Sequence, residues 1–258
     1  MAFKGLDLTG KTTVVIGGTS GIGRAIALGY ADAGANVIAS SRRKEQVEAV
    51  SAEIEERGGK TFRITSDVAE RDSVKQLLEA AIKTFGSVEI LVNSAGRTKR
   101  APTLDFSEDE WNEIMETNLT GTLRSCQIFG RHMIERRYGR IINIASLTSF
   151  VALTEVAAYS ASKSAVASLT KSLAVEWAQY GVCVNAIAPG VFRTALNQKL
   201  LDGSARGQEF LVRTPMKRFG KVEELAGAAI FLASDSASFV TGEIICVDGG
   251  FLASGVNQ

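Results

Sequence analysis

Thr13-Val14-Val15-Ile16-Gly17-Gly18-Thr19-Ser20-Gly21-Ile22-Gly23-Arg24-Ala25-Ile26-Ala27-Leu28 opens as a β-branched run, turns through spaced glycines and continues as a helix-forming stretch. Without Cβ atoms at Gly17, Gly21 and Gly23, the backbone can turn sharply at a strand end and admit a pyrophosphate to the free N–H groups of the next helix. The Gly17-x3-Gly21-x-Gly23 spacing therefore predicts a dinucleotide site built from Gly17, Thr19, Ser20, Gly21, Ile22 and Gly23. A second pattern, Gly5-Leu6-Asp7-Leu8-Thr9-Gly10-Lys11-Thr12, has the letter spacing of a phosphate-binding loop. It precedes the first strand, however, so its amides have no following helix to aim along.

From this unit outward, β-rich runs at 12–16, 36–40, 61–65, 89–93, 140–145, 182–188 and 243–247 alternate with helical stretches at 22–33, 43–57, 73–85 and 159–179. That rhythm belongs to parallel strands joined by helical crossovers. Runs such as Ile141-Ile142-Asn143-Ile144-Ala145 are apolar nearly throughout, as helices on both sheet faces require. The expected fold is α/β, a Rossmann-like doubly wound parallel sheet of seven strands. No repeat or linker divides the 258 residues, so one domain over 1–258 is expected, with the irregular stretch 190–220 as its substrate lid.

Composition narrows the function classes. Lys and Arg total 29 against 28 acidic residues, which supplies no global field for nucleic acid or an anionic membrane. Cys126, Cys183 and Cys246 are scattered and odd in number, fitting buried thiols in a reducing compartment. With His132 the single histidine, no metal site is expected, and His132 has no nucleophile and acid arranged around it. The N-terminus carries no signal-peptide core and no apolar run approaches the ~18 residues of a membrane span, so a cytoplasmic location is expected.

The end of the second strand bears on the cofactor. Ser41 lies eighteen residues beyond Gly23, about where an acidic side chain would bind the adenosine ribose of NAD. Here the chain reads Ser40-Ser41-Arg42-Arg43. With no carboxylate to repel a 2′-phosphate and a guanidinium at Arg42 to bind it, NADP(H) is the preferred cofactor and NAD(H) the secondary one.

Far downstream, Tyr159 and Lys163 are four residues apart on a helical stretch, so both address one small volume. An ammonium beside a phenol stabilises phenolate and eases proton exchange with a substrate oxygen, which makes Tyr159 the candidate general acid/base. Ser146 follows the fifth apolar run, at the carboxyl edge where open α/β sheets place ligands, and its hydroxyl can orient a carbonyl.

With these residues in order the chain resembles the short-chain dehydrogenase/reductase family from about Leu8 to Phe251. The resemblance rests on the glycine turn, Asp67-Val68, Asn93-Ser94-Ala95-Gly96, Asn118, Ser146, Tyr159-x3-Lys163 and Pro189-Gly190. Ile16 and Ser94 depart from it, replacing a usual threonine and asparagine. It implies a catalytic set of Asn118, Ser146, Tyr159 and Lys163, in which Lys163 also donates to the nicotinamide ribose and Asn118 holds a relay water. Asp67, Val68, Asn93, Ala95, Gly96, Pro189, Gly190 and Thr194 would join the cofactor site, and the assembly would be a homotetramer built on helices within 103–136 and 159–179. Within the family, 96–102, 185–190 and 213–220 look most similar to gluconate 5-dehydrogenases and related sugar-acid dehydrogenases. The expected substrate is then a sugar acid or related polyol, with Ser146 and Tyr159 on its reacting oxygen and Arg97 and Arg100 near its carboxylate. A 3-oxoacyl carrier-protein reductase and a non-catalytic dinucleotide sensor are the alternatives.

Overall fold

The structure is a computed structural model that describes residues 4–194 and 197–255. Strands β1 (Thr12–Ile16), β2 (Asn36–Ser40), β3 (Ile90–Asn93), β4 (Gly139–Ile144), β5 (Val182–Pro189) and β6 (Ile244–Val247) form one sheet in the order β2-β1-β3-β4-β5-β6. Every pairing is parallel. The helices are α1 (Gly21–Asp32), α2 (Lys44–Glu56), α3 (Arg71–Phe85), α4 (Glu108–Met115), α5 (Gly121–Glu135), α6 (Ala157–Trp177), α7 (Gln198–Leu201), α8 (Ala205–Arg213) and α9 (Ala226–Ala233).

Strand alternation divides the core between the two faces. On β1, Val15 joins Ile26, Tyr30, Val50, Ile54, Ala229 and Leu232 on the α1, α2 and α9 side. Val14 and Ile16 point the other way, into Leu77, Phe129, Met133 and Leu173 of α3, α5 and α6. The period of two along an extended chain places successive side chains on opposite faces, and a parallel sheet buried on both sides accepts apolar residues at each.

The sheet has six strands among the described residues, not seven. The run 61–65 is chain lying beside β2 without a ladder, fastened near its ends by Val37 N–H donating to Lys60 O at 2.9 Å and Ser66 N–H donating to Ser41 O at 3.0 Å. Between them, the Ser40 hydroxyl donates to Ile64 O at 2.8 Å. Phe62 and Ile64 still pack against the core, so the apolar signal in the run was that of a covering segment. Cys246 also departs from expectation. Cys126 and Cys183 are buried, whereas Cys246 is exposed on β6, which ends the sheet with no further strand to cover it.

The helical region 103–136 is broken, with a short turn at Thr103–Asp105, then α4, a wide five-residue turn at Glu116–Thr120, and α5. His132, on α5, accepts a hydrogen bond from Val88 N–H at 3.2 Å through Nε2. Burial lowers its pKa, matching a neutral structural role. No helix among the described residues is long and apolar enough to cross a membrane.

Candidate active site

The chain leaves β1 toward β2 on one side and later returns to β3 on the other, so the ends of β1 and β3 diverge into a cleft, the usual ligand position in open α/β sheets. Gly17 stands at its floor with φ of 79°, and a Cβ there would lie 2.5 Å from Ala95 N. A Cβ on Gly23 would lie 2.1 Å from Gly17 O. Both positions therefore need glycine for close backbone approach. Ser20 makes no side-chain cap, and the first turn of α1 carries no acidic residue, leaving its N–H groups and positive dipole end available to an anion. These residues fit a dinucleotide pyrophosphate.

The chain after β5 reaches the same cleft. Pro189 ends that strand, and a Cβ on Gly190 would lie 2.6 Å from Asp248 Cα. Thr194 comes over α1, its methyl 3.8 Å from where a Gly21 Cβ would sit. Ile22 turns away into the core. Val191 and Arg193 clasp Gly220 by backbone bonds of 3.0 and 3.4 Å, closing the base of the 190–220 excursion that carries α7 and α8; residues 195 and 196 lie outside the described chain.

At the adenosine end, Thr19 donates to Ser41 Oγ at 2.8 Å, fixing the start of the glycine turn to the end of β2. Arg42 is exposed and has no ion pair or side-chain hydrogen bond among the described residues, unlike Arg24, Arg57 and Arg63, which hold Glu53, Asp32 and Glu55. Asp67 accepts from Ala69 N–H at 3.0 Å, and Val68 is buried against Gly121. The Asn93 side chain turns inward and donates to Asn143 Oδ1 at 2.9 Å. Only its backbone remains toward the cleft end of β3.

Four elements bring the catalytic candidates together. Ser146 follows β4, and its oxygen accepts from Thr148 N–H at 3.1 Å. The Tyr159 phenol, near the start of α6, stands close enough to Ser146 for the serine to act on its pKa. Lys163, one turn later, is buried and donates to Ile144 O at 2.6 Å. Asn118 sits in the wide turn between α4 and α5, where five-residue turns recur at functional sites. Its side chain accepts from Arg97 N–H at 2.8 Å and donates to Arg97 O at 3.0 Å, holding the loop after β3 as a neighbouring strand would. A Cβ on Gly96 would lie 3.5 Å from Asn118 Oδ1 and 3.7 Å from Lys163 Nζ, so all three meet at one point.

The electrostatics differ from the simple picture of a lysine activating a phenol. Burial raises the Tyr159 pKa above its ordinary 10.0, with neighbouring Ser146 opposing that rise. Burial also pushes Lys163 down to about 8. Lys163 Nζ lies 5.8 Å from the Tyr159 ring centroid and is engaged with the Ile144 carbonyl. The phenol is thus held protonated near neutrality, ready to donate a proton.

Ser162 escaped the reading of the sequence although it lies within the Tyr159 to Lys163 spacing. It accepts from Asn118 Nδ2 at 3.0 Å and donates to Tyr159 O at 2.7 Å, linking the wide turn to α6. Arg97 and Arg100 are at the rim, but their charges are already taken. Arg97 pairs with Glu110 at 3.1 Å and with Glu113, while Arg100 pairs with Glu155.

A family model described as enoyl-(acyl carrier protein) reductase matches residues 16–252. The chain is 38% identical to the gluconate 5-dehydrogenase of Gluconobacter oxydans over 96% of its length and 97% of that protein's. It is 38% identical to the 3-oxoacyl-[acyl-carrier-protein] reductase of Thermotoga maritima over 96% and 100% of the two chains. A gluconate 5-dehydrogenase from Burkholderia cenocepacia, crystallised in complex with NADP and tartrate, superposes with a TM-score of 0.94 at 39% identity, covering 98% of this chain and 99% of that one.

Proposed function

The chain belongs to the short-chain dehydrogenase/reductase family and is an oxidoreductase acting on CH–OH groups, and we propose that its substrate is a sugar acid, with gluconate and 5-ketogluconate as the type pair, and that it prefers NADP to NAD. The observation that carries the catalytic reading is the convergence of buried Lys163 and Asn118 on Gly96 at the carboxyl edge of the sheet, with Ser146 and Tyr159 beside them. The sugar-acid reading draws on likeness to gluconate dehydrogenases. The cofactor preference draws on uncommitted Arg42 and on the neutral Ser41 at the end of β2.

A bound nicotinamide supplies or accepts the hydride. Ser146 orients the substrate oxygen, and Tyr159 gives it a proton in reduction or takes one in oxidation. Lys163 and Asn118 hold the phenol's surroundings and the loop at Gly96 in place, so that the substrate is met in one orientation. Arg97 and Arg100 shape the rim through their ion pairs. A homotetramer remains the assembly implied by the family resemblance, with α5 and α6 as its candidate surfaces.

The test is a panel of sugar acids, neutral polyols and 3-oxoacyl thioesters, each assayed with both nicotinamide cofactors. Sugar acids are expected to give the highest kcat/KM. A dominant preference for acyl thioesters would replace this reading with that of the carrier-protein reductases. Arg42→Ser is expected to lower the NADP over NAD ratio of kcat/KM by about tenfold, the loss of one charge-assisted contact to a phosphate. An unchanged ratio would remove Arg42 from the cofactor site.

A further inference from the structure

We propose that Arg206, on α8, is the anchor for the substrate carboxylate, an assignment that rests on the sugar-acid reading. Four cations stand on the loop after β3 and on α8, namely Arg97, Lys99, Arg100 and Arg206. Three are neutralised, Arg97 by Glu110 and Glu113, Lys99 by Glu110 at 2.9 Å, and Arg100 by Glu155. Arg206 has no carboxylate within ion-pair distance among the described residues.

Its partners are neutral oxygens. Arg206 donates to the hydroxyl and the carbonyl of Thr154, each at 3.2 Å, and its Nε is buried with no acceptor. A guanidinium offers a planar fork suited to two carboxylate oxygens, and a partly buried cation with an unused donor gains most from such a partner. Packing links the position to the residue after Ser146. Phe210 lies one turn along α8 under the guanidinium, 5.7 Å from it, and packs with Leu147, which follows Ser146 directly, and with Leu153. Thr154 and Glu155 are adjacent, so the loop before Tyr159 is gripped by Arg100 on one side and by Arg206 on the other. A polyhydroxylated acid with its carbinol at Ser146 and Tyr159 would extend its carboxylate along this loop toward α8.

The experiment compares Arg206→Gln, Arg206→Lys and Thr154→Val with the wild-type holoenzyme on gluconate-type acids and on neutral polyols such as glycerol and threitol. For Arg206→Gln the KM for acids is expected to rise about ten- to a hundredfold, the loss of one charge-assisted pair. The KM for neutral polyols, NADPH affinity and melting temperature should hold, and Arg206→Lys should fall between. Thr154→Val should leave the KM for acids unchanged. An equal rise on acids and neutral polyols, no rise at all, or the same loss in Thr154→Val would show that Arg206 only latches the lid and would overturn the assignment alone. A wild-type enzyme that turns over polyols or acyl thioesters but no sugar acid would instead overturn the sugar-acid reading, and this assignment with it.

Discussion

Tyr159→Phe is expected to lower kcat for ketone reduction by about a thousandfold, within the range a positioned acid/base supplies, while leaving NADPH affinity and melting temperature near wild type. The substitution removes one oxygen from a half-buried ring that continues to pack on α6. What disappears is the proton donor that stands beside Ser146. The direction of pH dependence follows from the same environment. Burial raises the phenol pKa above 10.0, so the donor form dominates through neutrality, and reduction should stay flat there and fall only at strongly alkaline pH. Alcohol oxidation needs the phenol to accept a proton in its deprotonated form, so its rate should rise with pH across the same range. Steady-state rates in both directions between neutral and alkaline pH check this, and oxidation that declines on raising the pH would contradict it. Wild-type turnover in Tyr159→Phe would remove the residue from the chemistry.

Gly23→Ala is expected to weaken NADPH binding by about a hundredfold or more, the scale of loss that follows when a site is displaced by roughly an ångström. The added Cβ would stand 2.1 Å from Gly17 O and 3.0 Å from Ser94 Oγ, and the nearer atom is backbone that cannot swing aside. The turn must open, which moves the N-terminus of α1 away from the floor of the cleft. Overpacking of this kind also costs about 1–3 kcal/mol of stability, so the melting temperature should fall by several degrees. Gly227→Ala is the matched control, because nothing lies within 4 Å of a Cβ placed there. Fluorescence titration with NADPH and a thermal melt on both variants separate the outcomes, and undiminished affinity in Gly23→Ala would contradict the role assigned to the turn.

Much of this architecture is legible in the sequence, because burial on both sheet faces imposes apolar runs that end where the strands end. The runs 12–16 and 36–40 coincide with β1 and β2, and the glycine turn leads from the end of β1 into the first turn of α1. The run 61–65 misled for a related reason. Phe62 and Ile64 are apolar because they cover the core, a demand that apolar content does not distinguish from strand pairing. The site was legible as a set of residue types and orders, and less so as geometry. Nothing in the letters around Asn118 marks a five-residue turn, since its hydrogen-bond register depends on how α4 and α5 are offset by the loop that Asn118 holds. The spacing of Tyr159 and Lys163 placed both on one helix face, but it could not show that the lysine is drawn to the Ile144 carbonyl. The basic run 97–100 gave no sign of its partners, which lie ten or more residues away at Glu110, Glu113 and Glu155. Arg206 is marked by the opposite feature, a charge whose neighbours are neutral, and only folded packing displays that.

On this reading the chain moves hydride between a nicotinamide and a carbinol carbon while Tyr159 handles the proton. It is tested most directly by incubating the enzyme with NADPH deuterated at the transferring C4 position and 5-ketogluconate, then locating the label in the product. One deuterium is expected on the newly formed carbinol carbon and none in solvent, with the yield collapsing in Tyr159→Phe. Saturable NADPH binding without label transfer to this or any other ketone of the panel would contradict it.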